Sequence, residues 1–137
     1  MKRIVEPLRQ SNIVPTRKSV FVVDDDPSMR TGIKRLLRVH GFHSTLFESA
    51  NALLTYGDFD KAFCFILDIN LNGESGIELC RRLADRGISL PVIYITGNDS
   101  EANRAAAIES GCIAYLTKPF AAPSLIEPIE RVHATAA

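Results

Sequence analysis

Cysteine is scarce and unpatterned in this chain. Cys64, Cys80 and Cys112 make three, an odd number, and none forms a CxxC. That spacing excludes a disulfide framework and a cysteine-built zinc site. His40, His43 and His133 are too scattered to read as a metal site. No apolar run approaches the roughly 18 residues of a membrane span. The opening MKRIVEPLRQ lacks the apolar centre of a signal peptide. Net charge is missing too: sixteen basic residues balance sixteen acidic ones. A chain with no overall basic field does not advertise direct nucleic-acid binding. By default these absences place the protein in a reducing cytoplasm, with no membrane insertion.

What is present suits a folded domain. Of 137 residues, 46% are hydrophobic and 23% are charged, enough apolar material for a core and too little charge for disorder. Residues 1–18 differ from the rest. Lys2, Arg3, Arg9, Arg17 and Lys18 face one acid, Glu6, and Pro7 and Pro15 interrupt any helix. This stretch reads as a basic, loosely ordered N-terminal arm, and residues 19–137 as a single domain.

From residue 19 the pattern alternates. Residues 19–24 read as a strand buried on both faces, since Val20, Phe21, Val22 and Val23 leave no polar side. Asp26 caps a helix that starts at Pro27 and stops at Gly41. Residues 42–47 form the second strand, and Ser49 caps a short helix carrying Ala52, Leu53 and Tyr56. Residues 63–67 form the third strand, and residues 68–73 a loop with the Asn72-Gly73 turn pair. Helix three covers 75–86, strand four 91–95, helix four 99–110, strand five 113–117 and the last helix about 123–134. Helix four is read with Ala102, Ala105, Ala106 and Ile108 inward, a packing of small area. Pro128 falls within the last helix, where it either kinks the helix or marks a late start.

Five strand-helix units with no long linker predict an α/β sandwich: a doubly wound five-stranded parallel sheet with main strands in the order 2-1-3-4-5, the flavodoxin-like (βα)5 arrangement. In such a fold ligands meet the carboxyl ends of the strands. Strand one delivers Asp24 and Asp25 there, strand three Asp68, strand four Thr96, and strand five Lys118-Pro119. Strands one and three are neighbours in this order, so three carboxylates converge, flanked by Thr96 and Lys118. Acids packed so closely repel unless a positive charge sits among them. Oxygen donors of this kind suit a hard divalent ion, above all magnesium (Mg2+). Asp68 is then placed to attack phosphorus, with Lys118 as the cation and Thr96 as a hydrogen-bond donor to a phosphoryl oxygen.

The stretches VVDDDP (22–27), FILDINLNGESG (65–76), YITG (94–97) and AYLTKPF (114–120) together resemble the receiver domain of a two-component response regulator. The resemblance covers about residues 19–134. It implies that Asp68 is the phosphoacceptor, served by a phosphohistidine on a sensor histidine kinase or histidine phosphotransfer protein. It implies that Asp25 binds Mg2+ directly, Asp24 directly or through water, and Asn70 through its backbone carbonyl, alongside Asp68. Thr96 and Tyr115 match the switch pair, and the Lys118-Pro119 bond matches one that is cis in the family. Helix four, strand five and helix five would form the signalling face toward an unknown downstream protein.

The chain departs from the family at Leu71-Asn72, where Met-Pro is usual, and keeps the expected Gly76. Asn70 carries an amide that can orient a hydrolytic water, which implies a short-lived phosphoaspartate. No output module follows the last helix, so the reading is a stand-alone receiver that is not itself an enzyme. The rival readings are a phosphate sink or relay intermediate, and the receiver part of a longer transcriptional regulator. An aspartyl phosphatase would want an acid at position 70, where asparagine stands.

Overall fold

The computed structural model describes residues 19–136. The arm read over residues 1–18 lies outside the described residues. The five long strands are β1 (Ser19–Val23), β2 (His43–Phe47), β3 (Ala62–Asp68), β6 (Val92–Thr96) and β7 (Ala114–Thr117). They form one sheet in the order β2-β1-β3-β6-β7, with every pairing parallel. Counting only these strands, the order is the 2-1-3-4-5 that the sequence implies. The three central strands are buried at every position. That follows from their apolar runs, SVFVV, AFCFIL and VIYI, which have no polar face to turn to water. The edge strands β2 and β7 alternate more and are half-exposed.

Five helices cover the sheet: α1 (Pro27–Val39), α2 (Ala50–Tyr56), α3 (Gly76–Asp85), α4 (Glu101–Glu109) and α5 (Ala122–Ala136). Four starts carry a side-chain cap. Asp26 accepts from the Ser28 N–H, Ser49 from Ala52, Ser75 from Ile77 and Ser100 from Asn103. Alternate strand residues feed two cores. Val20, Val22, Ile66, Ile93 and Ile95 pack with Ile33 and Leu37 of α1 and with Leu125, Ile126 and Ile129 of α5. Phe21, Val23, Phe65, Leu67 and Tyr94 pack with α2, α3 and Ala107 of α4.

Three local expectations change. The segment 68–73 is not a plain loop: β4 (Asn70–Leu71) and β5 (Glu74–Ser75) pair antiparallel around Asn72-Gly73. Gly73 has φ +78, a left-handed value that a tight hairpin demands and glycine adopts freely. Helix α4 turns Ala107 inward rather than Ala102, Ala105 and Ile108, and Ile108 is 65% exposed. Its run of alanines gives little apolar contrast, so the sequence carries no strong signal for which side faces the sheet. Helix α5 begins at Ala122 and runs through Pro128, so the late start is not what occurs. Pro128 is buried beside Leu125, Ile126 and Ile129. Its missing N–H leaves Ser124 without an intrahelical donor, and the packing of this face offsets that loss.

Candidate functional site

The carboxyl ends of β1 and β3 are neighbours, and each is followed by acids. Carboxylate oxygens of Asp24, Asp25 and Asp68 all lie within 4.8 Å of one another. Asp24 is 0% exposed and Asp68 3%, while Asp25 is half-buried. Such a cluster persists only with compensation, and the structure supplies it from three directions.

Lys118 enters from the loop after β7. Its Nζ donates to Asp24 Oδ2 at 2.9 Å and to Asp68 Oδ2 at 3.0 Å. The adjoining Lys118-Pro119 bond is cis, as the resemblance implies. Backbone donors serve the other oxygens: the Asp26 N–H to Asp24 Oδ1 and the Asn70 N–H to Asp68 Oδ1, both at 2.9 Å. Arg30, one turn into α1, donates to the backbone carbonyl of Asp24 at 2.7 Å. Sequence reasoning missed Arg30; its position on the inner side of the helix capped by Asp26 was the available signal.

Burial, and next the charge of Asp24, push the Asp68 carboxyl above its ordinary range, against hydrogen bonds from Asn70 and Lys118 that lower it. Burial works against the charge on Lys118, but its bonds to Asp24 and Asp68 outweigh that and raise its pKa. Lys118 therefore stays an ammonium between Asp24 and Asp68. An acidic set still this short of positive charge, built wholly of oxygen donors, fits a hard dication such as magnesium. Asp24, Asp25 and Asp68 are the carboxylates that could hold it. Asn70 lies two residues past Asp68, in the first position of β4.

Thr96 closes the other side. It ends β6, is 0% exposed, and its hydroxyl donates to the side-chain oxygen of Asn70 at 2.8 Å. The side-chain oxygen of Asn70 is thus engaged with Thr96. Tyr115, on β7, is half-buried. Its hydroxyl donates to Asp99 Oδ1 at 3.0 Å, and Arg104 both reaches Asp99 Oδ2 at 2.8 Å and lies over the Tyr115 ring at 4.8 Å. Burial and the neighbouring Asp99 raise the Tyr115 pKa, so the hydroxyl keeps its proton as donor. Asp99 and Arg104 were also missed, because nothing in the sequence ties them to a strand residue that follows.

Gly76 fixes the floor of the site. A Cβ at this position would overlap the carbonyl oxygen of Asp68, so only glycine lets α3 start against the end of β3. Its N–H donates to the Ile69 carbonyl at 2.9 Å.

The family model for the response regulator receiver domain matches residues 20–130. The chain belongs to that family. It is 38% identical over 114 residues to the sensory transduction protein RegX3 of Mycobacterium tuberculosis, covering 83% of this chain and 50% of RegX3. It is 32% identical over 116 residues to the transcriptional regulatory protein FixJ of Rhizobium meliloti, covering 85% of this chain and 57% of FixJ. This receiver therefore spans about half the length of the curated relatives it matches. The crystal structure of a response regulator receiver protein from Pseudoalteromonas atlantica superimposes with a TM-score of 0.82 over 87% of this chain and 99% of that one. At 23% identity that likeness speaks to the fold alone. Among the described residues, no helix is long and apolar enough to cross a membrane.

Proposed function

We propose that this receiver accepts a phosphoryl group on Asp68 from a phosphohistidine of a sensor histidine kinase or histidine phosphotransfer protein in the cytoplasm. The observation that carries the reading is Lys118 bridging Asp24 and Asp68 at 2.9 and 3.0 Å, at the rim where three carboxylates meet.

The chain's own groups divide the work. An Asp68 carboxylate oxygen forms the new bond to phosphorus as the bond from phosphorus to the donor nitrogen breaks, and the released imidazole takes a proton. Asp24, Asp25, Asp68 and the backbone carbonyl of Asn70 would hold Mg2+. When bound, the ion supplies charge neutralisation at the acids and at the phosphoryl oxygens. Lys118 balances charge on the phosphoryl group, and Thr96 offers it a hydroxyl proton.

Phosphorylation adds roughly two negative charges at the rim. Drawing Thr96 and Lys118 toward them frees Tyr115 to leave Asp99, and α4 shifts with its loop. The message then passes through the α4-β7-α5 face to a protein partner. A second reading has support in the relatives, which are about twice as long as the matched region. In it the same face acts on an attached output domain of a transcriptional regulator.

The test is incubation with acetyl phosphate and magnesium, read by intact-mass spectrometry. Wild type should gain one phosphoryl group, and Asp68→Ala should gain none. Labelling that persists in Asp68→Ala would remove the assignment.

A further inference from the structure

Asn70 touches both sides of the site at once. Its backbone N–H donates to Asp68 Oδ1 at 2.9 Å, while its side-chain oxygen takes the Thr96 hydroxyl proton at 2.8 Å. Thr96 has one proton to give, and its Oγ1 already accepts the Asn98 N–H at 3.0 Å. The alternative acceptor, the Asn98 carbonyl, stands farther away at 3.2 Å. That carbonyl accepts the Asn103 side-chain N–H at 3.0 Å, and Asn103 lies in the first turn of α4, where its backbone N–H is held by the Ser100 cap. A continuous line of hydrogen bonds therefore runs from the phosphoacceptor loop to the start of α4: Asn70, Thr96, Asn98, Asn103.

We propose that Asn70 is a positioning residue that latches Thr96, and through Asn98 and Asn103 the start of α4, in the unphosphorylated arrangement. This rests on the reading of Asp68 as phosphoacceptor and adds to it. To serve a phosphoryl oxygen, the buried Thr96 hydroxyl must first leave Asn70, because one proton cannot satisfy both acceptors. The latch thus sets a resting bias that phosphate has to overcome. It also explains how a helix anchored by so little apolar area keeps a defined resting position: polar contacts at its first turn substitute for burial.

The test is amide hydrogen exchange on the full chain without metal or phosphodonor, in Asn70→Ala and Asn70→Asp. In Asn70→Ala, exchange at Asn98 and through the first turn of α4 should run about three- to tenfold faster, the change expected for loss of one ordinary buried hydrogen bond. Exchange in β1 and β3 should stay as in wild type. Asn70→Asp keeps an oxygen for Thr96, so exchange at Asn98 and the start of α4 should stay slower than in Asn70→Ala, even though a fourth acid at the rim adds repulsion. Unchanged exchange in Asn70→Ala, or equal acceleration in both variants, overturns the proposal. If Asn70→Ala loosens the whole domain, Asn103→Ala decides instead. It should free only the start of α4, and no effect there overturns the latch. None of these measurements depends on phosphotransfer, so a failed latch leaves acetyl phosphate labelling of wild type intact. A failed phosphoacceptor reading shows separately, as absent labelling.

Discussion

Two helices on opposite faces of the sheet, α5 and α4, are anchored to very different depths. Helix α5 sinks Leu125, Ile126 and Ile129 into an aliphatic core shared with Ile33 and Leu37 of α1. Helix α4 puts only alanine inside: Ala107 fully and Ala106 partly. Hydrophobic stabilisation scales with buried apolar area, so α5 is anchored by its side chains and α4 hardly at all. The same weakly covered corner holds Thr96, Asn98, Asp99, Arg104 and Tyr115, bound to one another by polar contacts. Hydrogen bonds exchange partners more readily than a packed core repacks. A switching element is therefore best built where polar contacts outweigh apolar ones.

Substitutions can break or sharpen this contrast. Ile129→Ala empties a fully buried site on α5 and should lower stability by about 2–5 kcal/mol in denaturant unfolding. Gly76→Ala is expected to remove about 1–3 kcal/mol and to slow Asp68 labelling, because the added carbon displaces either α3 or the end of β3. Ala107→Gly on α4 should cost about 1 kcal/mol, mostly helix propensity. Ile108→Ala on the same helix should stay within about 0.5 kcal/mol, as its side chain stands in solvent. If the α4 changes matched Ile129→Ala in size, the contrast between α5 and α4 would be gone.

A further expectation concerns the thiols. Burial pushes the Cys64 thiol from its ordinary 9.0 up to about 12. Between those values the unfolded thiol ionises while the folded one keeps its proton, so the unfolded state binds fewer protons. The contribution is intact below about pH 9 and lost as the pH rises toward 12. Melting temperatures across that window should fall less steeply in Cys64→Ala. Cys112, half-buried against the α3-α4 side, should be alkylated before Cys64 in the native protein.

Much of this was legible in the sequence for a physical reason. A strand buried on both faces must be apolar throughout, and residues 20–23, 63–67 and 92–95 are so nearly that their place in the sheet is plain. Because strand ends define the rim, Asp24, Asp25, Asp68, Thr96 and Lys118 could be gathered there from strand order alone. What the sequence concealed depends on distances between loops. The bond from Thr96 to Asn70 spans 26 positions, and the clamp of Asp99 and Arg104 on Tyr115 needs α4 and β7 in contact. The inward side of α4 was hidden by its own composition, since EANRAAAIE offers alanine in almost every direction. The hairpin at Asn72-Gly73 was visible as a turn but not as a pair of two-residue strands, which lie below the length at which alternation can be read.

Lys118 meets partners that stand 94 and 50 positions before it in the chain. A ribosome still synthesising the protein, or a protease that has clipped it ahead of β7, leaves a fragment bearing Asp68 without its ammonium. Two acids buried beside each other cannot hold that arrangement without their cation. The rim is therefore assembled only when the last strand is in place.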